Sequence, residues 1–183
     1  KEGKVEVIVL AQSGYSSSQE LFLLEHEASR YSPDLIIWSY VLNDPANPVY
    51  HNSNGELGLY YFRPVLHTAN FVSRKLFEIN ERIKKEDCPT EYNAFLHCVY
   101  WDQVTSNIEK IADIVQQRRI PTIFLVHPVF EVGGSFDNYS LASLHAKLGA
   151  AATAAGLSVV DVLGAYRSYS AQELSLPLKS GFD

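Results

Sequence analysis

The sequence predicts an α/β fold, a three-layer αβα sandwich built around a parallel sheet. The run from Leu35 to Leu42 is apolar except for Ser39, which is typical of a strand covered on both faces, as parallel strands are. Strand patterns and helix patterns alternate along the chain, which is the order that a parallel sheet requires. Polar or turn-forming residues follow each strand pattern, and the carboxyl ends of parallel strands meet at one edge.

The first predicted unit is a strand, a helix and a second strand. Residues Val5 to Leu10 form a short run rich in valine and isoleucine that ends at a glycine turn. A helix is expected to begin at Ser16, because a serine N-cap is followed by amide and acidic residues in the first turn. Pro33 stops this helix, and the strand that starts at Leu35 comes next.

A long excursion over residues 46–100 interrupts the alternation. Its first part is rich in turn formers, and its second part predicts an amphipathic helix whose charged residues form a solvated face. The apolar positions of that helix are Phe71, Val72, Leu76, Ile79 and Ile83.

The remaining chain predicts two more helices, each followed by a strand. An apolar stripe indicates a helix from Trp101 to Arg119, and a strand follows over residues 122–126. A second stripe, formed by Leu141, Leu144, Leu148, Ala152 and Ala155, indicates a helix closed by Gly156. Residues Leu157 to Val162 form the last predicted strand, so the sheet would contain four parallel strands.

Composition and charge exclude several function classes. The 183 residues, of which 46% are hydrophobic, suit one domain with a substantial core. A net charge of -6 offers no basic surface for nucleic acid. No apolar run approaches the roughly 20 residues that span a bilayer, so no membrane span is expected. Gly14 stands alone without the further glycines or the lysine of a phosphate-binding loop, which disfavours a nucleotide-binding site.

Both ends of the sequence are abrupt. Met is absent altogether, and Lys1 stands just before the first strand pattern, while Asp183 follows a loop. We expect residues 1–183 to form a single α/β domain that is incomplete at both ends.

The two cysteines leave alternatives open. Cys88 and Cys98 are ten positions apart, a spacing that a disulfide accepts but does not demand. Two unpaired thiols are the plainer interpretation, because no targeting segment indicates an oxidising compartment. His97 beside Cys98 also suggests zinc, but three soft ligands without a fourth at the usual spacing disfavour it.

Four predicted strand ends would meet at one edge of the sheet. Gly14 lacks a side chain and can bring its backbone N–H close to a ligand, and the Asn43 amide is a neutral donor suited to an oxyanion. A nucleophile and a base are less evident. An internal triad of Ser13, His127 and Asp161 is disfavoured, because Ser13 lacks the G-x-S-x-G context of a nucleophile elbow.

The order and spacing of these blocks resemble a known enzyme family. Ser13-Gly14-Tyr15 after one strand, and Pro33-Asp34 with Asn43-Asp44 around the next, resemble the second and third sequence blocks of the SGNH (GDSL-type) hydrolases. Residues 120–128 and 156–161 are similar to the later strands of that family. The resemblance implies a flavodoxin-like αβα sandwich and a serine hydrolase of small-molecule or carbohydrate esters that needs no cofactor or metal.

The resemblance also implies roles for individual residues. Gly14 would donate its backbone N–H, and Asn43 its side-chain amide, to the oxyanion. Asp44 would brace the loop. Independently of the resemblance, His127 before Pro128 is expected to line the substrate pocket or to pack against the loop rather than to serve as a base. Asp183 would be the triad carboxylate, with its histidine three residues further on.

The family's Gly-Asp-Ser block is missing from this sequence. We therefore expect the nucleophilic serine and the catalytic histidine outside the 183 residues, together with the central strand that carries the serine. An O-acyltransferase on the same scaffold and a non-catalytic binding module remain alternatives. Asp161 is expected to bond nearby backbone. The histidines without partner spacing are expected at the surface or in satisfied polar positions: His26, His51, His67, His97 and His145.

Overall fold

The computed structural model describes residues 5–11, 15–45, 87–129, 136–169 and 173. Over these residues the chain has an α/β fold with a parallel three-stranded sheet. It divides into two compact units, one of residues 1–35 and 43–121 and the other of residues 36–42 and 122–183. The helix predicted over Phe71 to Ile83 lies outside the described residues.

The first unit contains helix α1 (Ser17–His26), a 3-10 helix (Ala28–Tyr31) and helix α2 (Tyr92–Gln117). Helix α1 begins where the sequence predicts, because the Gln19 Oε1 atom accepts the backbone N–H of Ser16 at 3.0 Å. No helix in the described ranges combines the length and the apolar character needed to cross a bilayer.

The predicted strand from Val5 to Leu10 is wrong. These residues have no regular secondary structure, and Val5, Val7 and Val9 are 87%, 79% and 77% exposed. A valine-rich run becomes a strand only when a neighbouring strand takes up its backbone N–H and C=O groups. No described strand pairs with this run, so the preference of its side chains for strands is not enough to make it one.

Helix α2 begins earlier than predicted. The Glu91 carboxylate caps it by accepting the backbone N–H groups of Asn93 at 3.1 Å and Ala94 at 2.6 Å. Tyr100 has non-helical dihedral angles (φ -111°, ψ 19°) and kinks the helix. The predicted start at Trp101 therefore identifies the part after the kink and misses the part before it.

Cys88 and Cys98 form a disulfide in the first unit, with an S–S distance of 2.05 Å. The interpretation as two unpaired thiols is therefore wrong. The first part of α2 carries Cys98 back to Cys88, a proximity that the sequence spacing permits but cannot reveal.

The second unit contains the sheet. Strands β1 (Ile36–Val41), β2 (Thr122–His127) and β3 (Ser158–Asp161) are parallel and lie in the order β1-β2-β3. Helix α3 (Ala142–Ala154) joins β2 to β3, and the short helix α4 (Leu163–Tyr166) follows β3. These strands, their parallel direction and helix α3 confirm the sequence-based expectations, including Gly156 (φ 86°) after the helix.

One face of the sheet forms the core of this unit. Trp38, Tyr40 and Phe124 are buried together on it, and the Trp38 and Phe124 ring centroids are 4.8 Å apart. Helix α3 packs on the same face, since a Cβ atom at Gly149 would lie 3.5 Å from Val159. On the opposite face Ile37 is 58% exposed. Among the described residues the expectation that β1 is covered on both faces is thus wrong, because Ile37 and Ser39 on this face are exposed.

Candidate functional site

The loop Asn43-Asp44-Pro45 directly follows β1 and is the best-formed part of the predicted site. Asp44 and Pro45 are buried, whereas Asn43 is exposed. The backbone C=O of Asp44 accepts the backbone N–H of Ser17 at 3.2 Å. Because the first N–H groups of a helix have no partner inside the helix, this bond ties the loop to the start of α1. Asn43 therefore presents a neutral amide to solvent from an anchored loop.

A buried polar cluster supports the start of α1. The side chains of Ser17 and Ser18 are buried, and the Asn107 Nδ2 atom donates hydrogen bonds to both Oγ atoms at 3.0 Å. The Gln103 Nε2 atom donates a further bond to Ser18 Oγ at 2.7 Å. Buried hydroxyl groups require such partners, so Asn107 holds both serines of the first turn of α1, whereas Gln103 adds a second donor to Ser18 alone.

The arrangement around Asn43 suits an anionic oxygen. An exposed amide N–H is a neutral donor, and the nearby helix start contributes a positive end of the helix dipole. Gly14, the second predicted donor, lies outside the described residues, as does Asp183. Both assignments stay predictions.

His127 ends β2 and is half-buried. Burial lowers the pKa of its imidazole, and the charge of His145 lowers that pKa further. Its side chain is therefore neutral at neutral pH and can both donate and accept a hydrogen bond.

A buried histidine lies beside the end of β3. The His145 Nδ1 atom is 2.8 Å from Asp161 Oδ1, which also accepts the backbone N–H of Leu163 at 2.9 Å. A carboxylate only accepts, so the Nδ1–H group of His145 donates to Asp161. Nε2 is buried and has no hydrogen-bond partner among the described residues.

The backbone bond expected of Asp161 is confirmed, whereas the position expected of His145 is wrong. His145 is neither at the surface nor fully satisfied. Helical spacing could have revealed its burial, because it follows Leu141 by four residues and precedes Leu148 by three. Among the described residues Asp161 takes His145 rather than His127 as its imidazole partner, which disfavours the internal triad, and Ser13 itself lies outside the described residues.

The disulfide removes the zinc hypothesis, because neither Cys88 nor Cys98 is a free thiolate. His97 is buried, and its Nδ1 atom lies 2.8 Å from the backbone oxygen of Asn93 in the same helix. Within the described ranges, no group of three or more His, Cys, Asp or Glu side chains could hold a metal ion.

Comparison of the chain with models of protein families, with curated proteins and with solved structures gives no match. The functional assignment therefore depends on the chemistry of the site residues and on the resemblance in their sequence blocks.

Proposed function

We propose that this chain is part of an SGNH-type hydrolase that cleaves ester bonds through a serine acyl-enzyme. The observation that carries the proposal is the Asn43-Asp44 loop: a buried aspartate bonded to the start of α1, beside an exposed asparagine amide. A site for acyl transfer needs neutral donors held before the reaction at the place where the oxyanion develops. The anchored loop supplies one such donor.

The arrangement of the first two sequence blocks adds support. The proposed architecture has a central strand, carrying the nucleophilic serine, between the Val5–Leu10 run and β1. Among the described residues no strand pairs with Val5–Leu10, its valines are exposed, and β1 ends the strand order β1-β2-β3, as the proposed architecture requires when that strand is not among them. The parallel strands joined by helices are the part of a flavodoxin-like sandwich that this chain would contribute.

In the proposed mechanism the serine attacks the ester carbonyl, and a histidine takes the serine proton and passes it to the leaving alcohol. Asn43 and Gly14 stabilise the oxyanion of the tetrahedral intermediate. Asp44 keeps the loop in place, and Asp183 orients the catalytic histidine. Water then cleaves the acyl-enzyme. His127, being neutral, lines the pocket as a hydrogen-bonding group for a substrate that bears hydroxyl groups.

The proposal is tested with the full-length protein and p-nitrophenyl acetate. We expect esterase turnover, and we expect Asn43→Ala to lower kcat by about 100- to 1,000-fold, the usual loss for one oxyanion donor. Because Asn43 is exposed, the variant should unfold at the same urea concentration as the unchanged protein. Asn138→Ala is the matched control, since it removes an exposed asparagine from the 3-10 helix Phe136–Asn138, away from the Asn43 loop in the sequence.

Two results would count against the proposal. Equal turnover for Asn43→Ala and Asn138→Ala would remove Asn43 from the mechanism. A full-length protein that hydrolyses none of a panel of aryl and carbohydrate acetates would contradict the hydrolase assignment itself.

A further inference from the structure

We infer that Asn107 is a positioning residue for the Asn43 loop and acts on it through the first turn of α1. The effect of Asn107 on turnover rests on the proposed function. Its effect on the position of the Asn43 loop rests only on hydrogen bonds within the first unit. Asn107 lies in the middle of α2, ninety positions after Ser17 in the sequence, and has no expected role in the chemistry.

The amide nitrogen of Asn107 uses both of its hydrogens on the serines. Nδ2 is 3.0 Å from Ser17 Oγ and 3.0 Å from Ser18 Oγ, and all three side chains are buried. A primary amide has two N–H donors in one plane, so two bonds fix both the position and the rotation of the first turn of α1. Buried bonds of this kind are costly to break, because each unpaired group stays away from water.

Ser17 transmits this constraint to the loop. Asn107 holds its side chain, and its backbone N–H donates to the C=O of Asp44 at 3.2 Å. Asn43 directly precedes Asp44 in the sequence, and its side chain is exposed. The direction of the Asn43 amide therefore depends on the backbone of the anchored loop. The path from Asn107 to Asn43 therefore contains two hydrogen bonds and one peptide link.

Gln103 provides a matched control one helical turn earlier. Its Nε2 atom donates to Ser18 Oγ at 2.7 Å, and the Asp44 carbonyl is bound by Ser17 rather than by Ser18. Gln103→Ala thus removes a primary amide from the same helix and the same cluster, but not from the residue that binds Asp44.

The experiment compares Asn107→Ala with Gln103→Ala in the full-length protein. We expect Asn107→Ala to lower kcat for p-nitrophenyl acetate by about 10- to 100-fold, because small misplacements of a catalytic group are costly, with KM within about twofold. Gln103→Ala should keep kcat within about threefold. A second measurement does not depend on activity. Exchange of the Ser17 backbone N–H with deuterium should be at least about 10-fold faster in Asn107→Ala and nearly unchanged in Gln103→Ala.

A double variant separates positioning from a general loss of structure. If Asn107 acts through Asn43, adding Asn107→Ala to Asn43→Ala should give no further loss of kcat, since the positioned group is already gone. Losses that multiply would contradict the inference. If Asn107→Ala does not fold, Ser17→Ala removes the acceptor hydroxyl while keeping the backbone N–H, and it should reproduce the fall in kcat; unchanged kcat would overturn the inference.

The two proposals can fail separately. If Asn43→Ala keeps full turnover, the proposed function loses its oxyanion donor, yet faster exchange at Ser17 in Asn107→Ala still supports the structural role. If Asn43→Ala is impaired while Asn107→Ala matches Gln103→Ala in turnover and exchange, the hydrolase proposal stands and the role of Asn107 is wrong.

Discussion

The imidazole of His127, at the end of β2, and that of His145, on α3, differ in their surroundings. His127 is half-buried, whereas His145 is buried and bound to Asp161 through Nδ1. The proximity of the two rings contributes to the lowered pKa of His127.

The lowered pKa of His127 makes stability depend on pH. Its ordinary value is 6.5, and burial together with His145 places the folded-state pKa below that value. Between the folded-state pKa and 6.5 the unfolded chain binds more protons, so the free energy of unfolding falls as the pH falls through this window. Above pH 6.5 His127 is neutral in both states, and the stability that is lost at lower pH is fully present.

This dependence can be measured by urea unfolding of the unchanged protein and His127→Gln at several pH values from about 7.5 to about 5. The free energy of unfolding of the unchanged protein should fall relative to that of His127→Gln as the solution becomes acidic. Parallel profiles for the two proteins would show that His127 does not contribute.

Asp161 stabilises the second unit through two acceptor contacts. Asp161→Ala leaves the buried His145 and the Leu163 N–H without this partner, so we expect a loss of about 1 to 3 kcal/mol in the free energy of unfolding. Asp161→Asn keeps an acceptor oxygen and should lose less. Asp113→Ala removes an exposed aspartate from α2 and should change stability by less than about 0.5 kcal/mol. Equal stability of the two alanine variants would contradict this account.

At the scale of the element, α2 consists of two parts with different support. Before the kink at Tyr100, the helix has the Glu91 cap, the disulfide and a small apolar cluster. The cluster comprises Leu96, Val99 and Tyr100, with Cys88 and Phe95 packed against it. The disulfide therefore secures the part of the helix that the sequence pattern does not reveal.

Reduction of this disulfide should destabilise the chain. Closing a loop of ten residues corresponds to roughly 2 to 3 kcal/mol in the chain-entropy account. We expect the urea midpoint to fall on addition of dithiothreitol. The double variant Cys88→Ser, Cys98→Ser should have the lower midpoint from the start and should not respond to the reductant. Equal midpoints for the oxidised and reduced protein would contradict the prediction.

The strands and helices that the sequence predicts well depend on local patterns. β1, β2 and α3 follow from apolar runs and a helical stripe, and α1 follows from a serine cap. The first part of α2 lacks a long stripe, and its cap is a glutamate, which is less typical than serine or aspartate. Strand formation by Val5–Leu10 depends on a neighbour that a local pattern cannot supply.

At the scale of the whole molecule, the described chain leaves apolar surface exposed. Leu35, Ile37 and Val160 are exposed in addition to the valines of the first segment. Exposed apolar residues grouped on a sheet face or along an edge strand usually mark a surface that another element covers. In the SGNH proposal a further strand would pair with the edge of β1 that no described strand occupies.

Part of the candidate site was predictable from a local sequence pattern. Asn43 and Asp44 follow a recognisable strand, and strand ends are where open parallel sheets bind ligands. Asn107 could not be predicted, because its partners Ser17 and Ser18 are about ninety positions away and no local pattern links them. The pairing of His145 with Asp161 likewise required the packing of α3 beside β3.

The most direct test of the central claim is a crystal structure of the full-length protein inactivated by an aryl phosphonate. The phosphonyl oxygen of such an adduct occupies the position of the oxyanion. The account predicts that this oxygen lies about 2.7 to 3.1 Å from both the Asn43 Nδ2 atom and the Gly14 backbone nitrogen. An adduct whose oxygen is bound by other donors, with Asn43 beyond hydrogen-bond distance, would contradict it.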